Sequence, residues 1–346
     1  MRAVTYVRNN TIEITDKPIP EIAHDEVLIK VLAAGLCHSD LAIINLGDEN
    51  PLIGSTLGHE TAGRIEKLGD GVTGWEVGNQ VVVSPVLSCG QCRECAAGRD
   101  NQCLVAGPRD ALTPATYGVG VNGGMADYMV VNSRHIISAD GLDPVTAASL
   151  TDAAWTPMHA INTVRDRTSS DATVLVLGLG GLGHMALQIL AATSGARIIA
   201  ADTDPAKLEF AASHGADITI QSDASTAQQV LDATNGRGAD VIFDFVGVQP
   251  TIDTAIACIA AGGAIRVVGL GGGEFTYTAG SGGPIPWGVN IERAYGGNQS
   301  DLAQVVALAR AGKILVNANP YPLDDAQQAF DDLEHGKVNG RAVLVP

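Results

Sequence analysis

Val174–Gly183, VLVLGLGGLG, constrains this chain more than any other stretch. A run of apolar, partly β-branched residues reads as a strand buried on both faces. It breaks at Gly178-x-Gly180-x-x-Gly183 and resumes as HMALQILAATSG with helical periodicity, and a second apolar run, RIIAAD, ends at Asp202. Strand, glycine turn, helix, strand and terminal acid, in that order, make a dinucleotide-binding fingerprint rather than an ordinary strand–helix turn. Gly178 allows the tight turn, Gly180 the approach of backbone to a pyrophosphate, and Gly183 the packing of helix on strand. Gly181 and Leu182 complete the turn, where free amides and the helix dipole favour phosphates. Asp202 can accept hydrogen bonds from a free ribose 2′-OH and would repel a 2′-phosphate, and Thr203 and Asp204 behind it bring no cation. The expected cofactor is NAD.

At 346 residues the chain is long enough for two domains with separate cores. A formal charge of −17 without a Lys/Arg cluster excludes nucleic acid and anionic membranes as expected partners. The opening MRAVTYVRNNTIEI is strand-like, with no apolar signal core, and no apolar run reaches membrane-spanning length. A cytoplasmic protein is expected, and there the six cysteines read as thiols or metal ligands rather than disulfides.

Short strand-like runs (3–7, 11–15, 26–33) open the chain and predict antiparallel β structure, continuing through Val83. Residues 104–140 are glycine-rich and irregular apart from a strand-like Met125–Val131. From about Val145 the sequence turns helical and enters the nucleotide half, where Asp204-Pro205 opens a helix and 239–246 and 264–269 are further buried strands. Alternating β and α units predict an α/β fold, a Rossmann doubly wound parallel sheet joined to a mostly antiparallel β domain. Beyond Asn298 a helix over 301–311 and a strand over 341–345 predict a return to the first domain. The expected division is 1–154, 155–298 and 299–346.

Cys89, Cys92, Cys95 and Cys103 place four thiolates within fifteen residues, the pattern of a closed structural zinc site with no open coordination position. Cys258, on an apolar helix-like stretch, reads as a small buried hydrophobe. Cys37 and His59 stand apart. With one carboxylate they would make a three-ligand catalytic site, and spacing alone does not choose among Asp40, Glu60 and Asp152.

Over nearly its whole length the chain resembles the zinc-dependent medium-chain alcohol dehydrogenases. Gly58-His59-Glu60-x2-Gly63-x5-Gly69-x2-Val72 matches that family's zinc signature, and GLCHSD, the four-cysteine lobe at 89–103 and GLGGLG follow in the family's order. LTDAAWTPMHA looks most like bacterial NAD-dependent secondary-alcohol dehydrogenases, which are typically homotetramers. The resemblance implies a GroES-like catalytic domain and Cys37, His59 and Asp152 as catalytic-zinc ligands. Asp152 stands where many relatives have a second cysteine, and a carboxylate there should leave the metal more electrophilic. It implies Glu60 as an alternative ligand, Asp40 as the acceptor that orients His59, and Ser39 as the hydroxyl that takes the alcohol proton. Ala42 occupies the place of the relay histidine of animal enzymes, so His38 or the cofactor ribose would connect the relay to water; a pairing of His38 with a cofactor phosphate is the other role open to it. Thr156 and the backbone of Val268, Gly269 and Leu270 would hold the nicotinamide, Lys207 the adenine ribose and Arg341 the pyrophosphate.

Relatives fill the pocket with bulky residues where Ala42 and Gly296 stand, and Trp155, Trp287 and Tyr295 would supply apolar wall. A roomy site for bulky or aryl secondary alcohols and their ketones follows as an expectation. Polyol, aldehyde or amino-alcohol dehydrogenation on the same scaffold, and a non-catalytic NAD-binding sensor, are the alternatives.

Overall fold

The structure is a computed structural model that describes residues 1–8, 10–47, 50, 52–106 and 115–346. Part of the irregular 104–140 stretch (107–114), and three residues of the loop before Leu57 (48, 49 and 51), lie outside the described residues. The chain divides into two compact units, one of Met1–Trp155 with Gly296–Pro346 and the other of Thr156–Tyr295.

The first unit is built on one long strand, Glu26–Leu36, of sequence EVLIKVLAAGL. It pairs antiparallel with Arg341–Val345, Glu60–Leu68 and Tyr128–Asn132, and so holds partners on both edges. The sheet continues through Gln80–Val83 to Ile136–Ser138 on one side and to Ala318–Pro322 on the other. Val27, Ile29, Leu36, Ile65, Val81 and Val83 from its strands and Phe330 from the helix Ala326–Glu334 lie in one buried core. Register decides what stands at one end of this sheet. Gly35 is opposite Glu60 and Leu36 is opposite Ala342. Cys37, His59, Glu60 and Arg341, scattered in sequence, therefore share the ends of three neighbouring strands.

The second unit is a six-stranded sheet in the order Ile218–Gln221, Arg197–Asp202, Thr173–Leu177, Ala239–Asp244, Ile259–Val267, Asn290–Arg293. Every pair in it is parallel, the doubly wound order of a dinucleotide-binding sheet. The helix Gly183–Thr193 follows the first strand, and Pro205–Ser213 begins on Asp204, whose carboxylate accepts from the amide of Ala206.

Two strands differ from their sequence expectation. The run expected over 239–246 leaves the sheet at Asp244, because that carboxylate takes the amides of Val246 and Gly247 and turns the chain. The strand expected over 264–269 starts at Ile259 and ends at Val267, with a register shift against its neighbour that absorbs Ala260–Gly263.

Candidate active site

Helix geometry brings the fourth member of the site to those strand ends. Pro144–Ser149 is α-helical, Leu150–Ala154 widens into a π turn, and α-helix resumes at Trp155. Asp152 lies in the π turn, where one extra residue per turn re-aims the side chains that follow. One donor atom each from Cys37, His59, Glu60 and Asp152 lies within 4.8 Å of every other.

His59 carries its two nitrogens to different partners. Nε2 is 3.9 Å from Asp152 Oδ2, on the side of the donor cluster, and Nδ1 is 3.5 Å from Asp40 Oδ1. Asp40 is fully buried, and its other oxygen accepts from the amide of Cys37 at 2.9 Å. One carboxylate thus touches the backbone of the first ligand and faces the ring of the second. Ser39 Oγ stands 3.5 Å from Cys37 Sγ. His38 is exposed at the start of the same short helix, His38–Ile44, and Ala42 is exposed one turn further on.

Glu60 is wholly buried and lies across Gly35, where a Cβ would overlap its carboxylate. Its Oε1 is 2.9 Å from Arg341 Nη2, the same nitrogen that donates to Asp152 Oδ2 at 2.8 Å. Arg341 thus bridges Glu60 and Asp152 through one guanidinium nitrogen. It starts the strand beside the one that delivers Cys37 and is buried.

Charge tests whether a metal fits. Four acids (Cys37, Asp40, Glu60 and Asp152) face one guanidinium in a buried space, and burying unbalanced anions is costly. Burial pushes the Glu60 carboxyl well above the usual range although Arg341 opposes it. Burial also works against protonation of His59, yet the negative charge of Asp40 and contacts with Asp152 hold its pKa well above the ordinary value. Both shifts mark a site short of positive charge. A soft thiolate, an imidazole and carboxylates around it suit zinc.

The second cluster is the lobe of Cys89, Cys92, Cys95 and Cys103, whose sulfurs also lie within 4.8 Å of one another. Zn–S bonds of about 2.3 Å in a tetrahedron put sulfurs roughly 3.8 Å apart, and Cys92 and Cys95 stand 3.5 Å apart. Backbone amides of Gln91 and Cys92 point at Cys89 Sγ, and that of Cys89 at Cys103 Sγ. Backbone hydrogen bonds at Cys95 and Leu104 lower the Cys92 thiol to about 6, so one ligand of the lobe reaches its thiolate form readily. Two residues that sequence reasoning missed hold the lobe. Arg134 donates to the carbonyl of Cys89 at 2.6 Å, and buried His135 accepts from the amide of Ser88 at 3.0 Å. Neither carries a metal-ligand spacing that would have marked it.

In the second unit the glycine turn has the geometry its sequence implies. Gly178 has φ +83°, no atom crowds Gly180, and a Cβ at Gly183 would strike the carbonyl of Gly178. Asp202 ends its strand and accepts from the amide of Leu179 at 2.6 Å, with Lys207 Nζ 3.9 Å away. Gly181 and Leu182 are half-buried at the helix start; in the same unit Thr156 and Val268 are buried, Gly269 is half-buried and Leu270 is exposed.

Trp155 is 2% exposed, its indole N–H donates to the carbonyl of Asn298, and its ring packs on Gly296 and Gly297. It lies in the core. Gly296 has φ +53° and faces that ring, so a side chain there would meet both a strained backbone and Trp155. Trp287 and Tyr295 are exposed on the second unit.

The sequence pattern of the alcohol dehydrogenase GroES-like domain matches residues 23–141, and that of the zinc-binding dehydrogenases matches residues 181–311. An NAD-dependent alcohol dehydrogenase of Sulfurisphaera tokodaii is 34% identical, with all of both chains covered. D-arabinose 1-dehydrogenase (NADP(+)) of Saccharolobus solfataricus is 33% identical over 97% of this chain and 94% of its own. Among solved structures, acetophenone reductase from Geotrichum candidum, in complex with NAD, superposes with a TM-score of 0.84 at 29% identity, covering 100% of this chain and 97% of its own. The two curated relatives are archaeal, so a special likeness to bacterial secondary-alcohol dehydrogenases is not shown.

Proposed function

This chain belongs to the zinc-dependent medium-chain alcohol dehydrogenases, and we propose that it oxidises bulky or aryl secondary alcohols reversibly to ketones. It is an oxidoreductase with NAD and zinc as cofactors.

Cys37, His59 and Asp152 would hold the catalytic zinc, with Glu60 as the alternative ligand, and the four-cysteine lobe the structural one. When bound, zinc supplies a Lewis acid that lowers the pKa of an alcohol. The chain's own residues do the rest. Asp40 fixes the ring of His59 and the backbone of Cys37 together. Ser39, beside Cys37, takes the alcohol proton, and exposed His38 hands it to water. In the other unit the Gly178–Gly183 turn takes the pyrophosphate and Asp202 with Lys207 the adenine ribose. Thr156 and the backbone of Val268–Leu270 orient the nicotinamide, so that positioning and electrostatics leave the hydride chemistry to the cofactor.

Ala42 carries the substrate size: one turn beyond Ser39 it is exposed and offers only a methyl group. The likeness to an acetophenone reductase supports the same choice. Comparing kcat/KM for acetophenone and acetone tests it. At least tenfold preference for acetophenone is expected; preference for acetone would overturn it. The likeness to a D-arabinose dehydrogenase favours a second substrate class, polyols and sugars. Faster turnover of D-arabinose than of 1-phenylethanol would select that class instead. We place the enzyme in the cytoplasm as a homotetramer.

A further inference from the structure

Asp244 ends the strand Ala239–Asp244 and is wholly buried. A carboxylate there needs donors, and it has three. Oδ1 accepts the amides of Val246 and Gly247 at 2.9 Å each, and Oδ2 lies 2.7 Å from the hydroxyl of Thr251. Its main-chain carbonyl accepts two more amides, those of Val268 at 2.8 Å and Gly269 at 3.1 Å. One residue therefore holds two loops at the carboxyl end of the parallel sheet, the side on which such sheets bind ligands.

These loops lie backbone on backbone. Val246 and Gly247 accept from the amides of Gly271 and Gly273 at 3.1 and 2.8 Å. A Cβ at Gly269 would overlap the backbone of Val246, and one at Gly178 would overlap the side chain of Val246. The turn that Asp244 folds is thus the surface against which both the 268–271 loop and the first glycine of the phosphate turn rest. The glycine turn has a second anchor in Asp202, which holds the amide of Leu179. The 268–271 loop is anchored on Asp244 and on the turn that Asp244 folds.

We propose that Asp244 is a positioning residue for the nicotinamide half of the cofactor, acting through the 245–251 turn to fix the 268–271 loop. This rests on Val268–Leu270 holding the nicotinamide, so the test compares NADH with ADP-ribose, which has the same adenine and pyrophosphate groups but no nicotinamide.

Dissociation constants for both would be measured calorimetrically on the zinc-loaded wild type, Asp244→Ala and Asp244→Asn. Wild type is expected to bind NADH more tightly than ADP-ribose. Asp244→Ala should weaken NADH at least tenfold and ADP-ribose less than twofold. Asp244→Asn, whose amide oxygen can still accept both turn amides, should stay within about threefold of wild type for NADH. Equal losses of the two ligands in Asp244→Ala, or no loss of NADH, would overturn the proposal. Equal wild-type affinities would instead overturn the placing of the nicotinamide on this loop. If Asp244→Ala does not fold, Thr251→Val removes one of the three donors and should show the same selective loss, smaller in size; an unselective loss there counts against the proposal equally.

Discussion

Arg341 and Asp152, 189 positions apart in sequence, meet at 2.8 Å between Nη2 and Oδ2, and the same nitrogen faces Glu60 Oε1 at 2.9 Å. The guanidinium thus joins two carboxylates of the catalytic cluster. Its removal leaves wholly buried Glu60 and half-buried Asp152 without that partner.

Arg341→Met should therefore destabilise the protein by about 3–5 kcal/mol, the cost typical of breaking a buried ion pair. Urea unfolding checks this, and the double variant Arg341→Met with Glu60→Gln should recover part of the loss because one stranded charge has gone. A wild-type midpoint in Arg341→Met would show that these contacts contribute nothing.

Asp40 is outside the ligand set but faces His59 and holds the amide of Cys37. Asp40→Asn should weaken catalytic zinc by roughly 10–100-fold, the usual effect of losing an outer-shell acceptor. Competition with a chelator measures it. The lobe zinc, bound by four cysteines elsewhere, serves as the internal control and should stay.

His135 gives a pH prediction. Burial, with the nearby charge of Arg134, lowers its pKa to about 4 against an ordinary 6.5, although the carbonyl of Ser88, 3.2 Å from Nε2, opposes the shift. The folded state keeps the ring neutral while the unfolded chain protonates it below 6.5. Its contribution is thus complete above that pH and is lost as pH falls from 6.5 toward 4. An NMR titration of the ring should give a midpoint near 4; a midpoint near 6.5 would contradict the burial account.

Asp202→Ala should raise the KM for NAD⁺ by roughly 10–100-fold, the scale of a lost hydrogen bond to a charged group. It should also narrow the preference over NADP⁺, because the repulsion of a 2′-phosphate goes with the carboxylate. Steady-state kinetics with both cofactors decides it, and an unchanged ratio would mean that Asp202 only secures the amide of Leu179.

Local patterns were legible in the sequence because their physics is local. A short CxxC spacing brings sulfurs together without help from the fold, and the GxGxxG turn carries its own strand and helix. The doubly wound sheet followed from alternation of β and α units. What the sequence could not reveal was set by pairing between distant segments. Nothing local to Arg341 announces that its strand lies beside the one delivering Cys37. Nothing local to Trp155 announces that Gly296 and Gly297, from far along the chain, lie against its ring. The π turn that carries Asp152 has no composition signal at all.

The most direct test of the account is NAD⁺ reduction by 1-phenylethanol, followed by NADH absorbance, in protein holding two zinc ions per chain. NADP⁺ and a Cys37→Ser variant would be run beside it. The account predicts a clear rate with NAD⁺, at least tenfold less with NADP⁺, and a rate near background in Cys37→Ser. A rate undiminished by Cys37→Ser, or faster with NADP⁺, would contradict it.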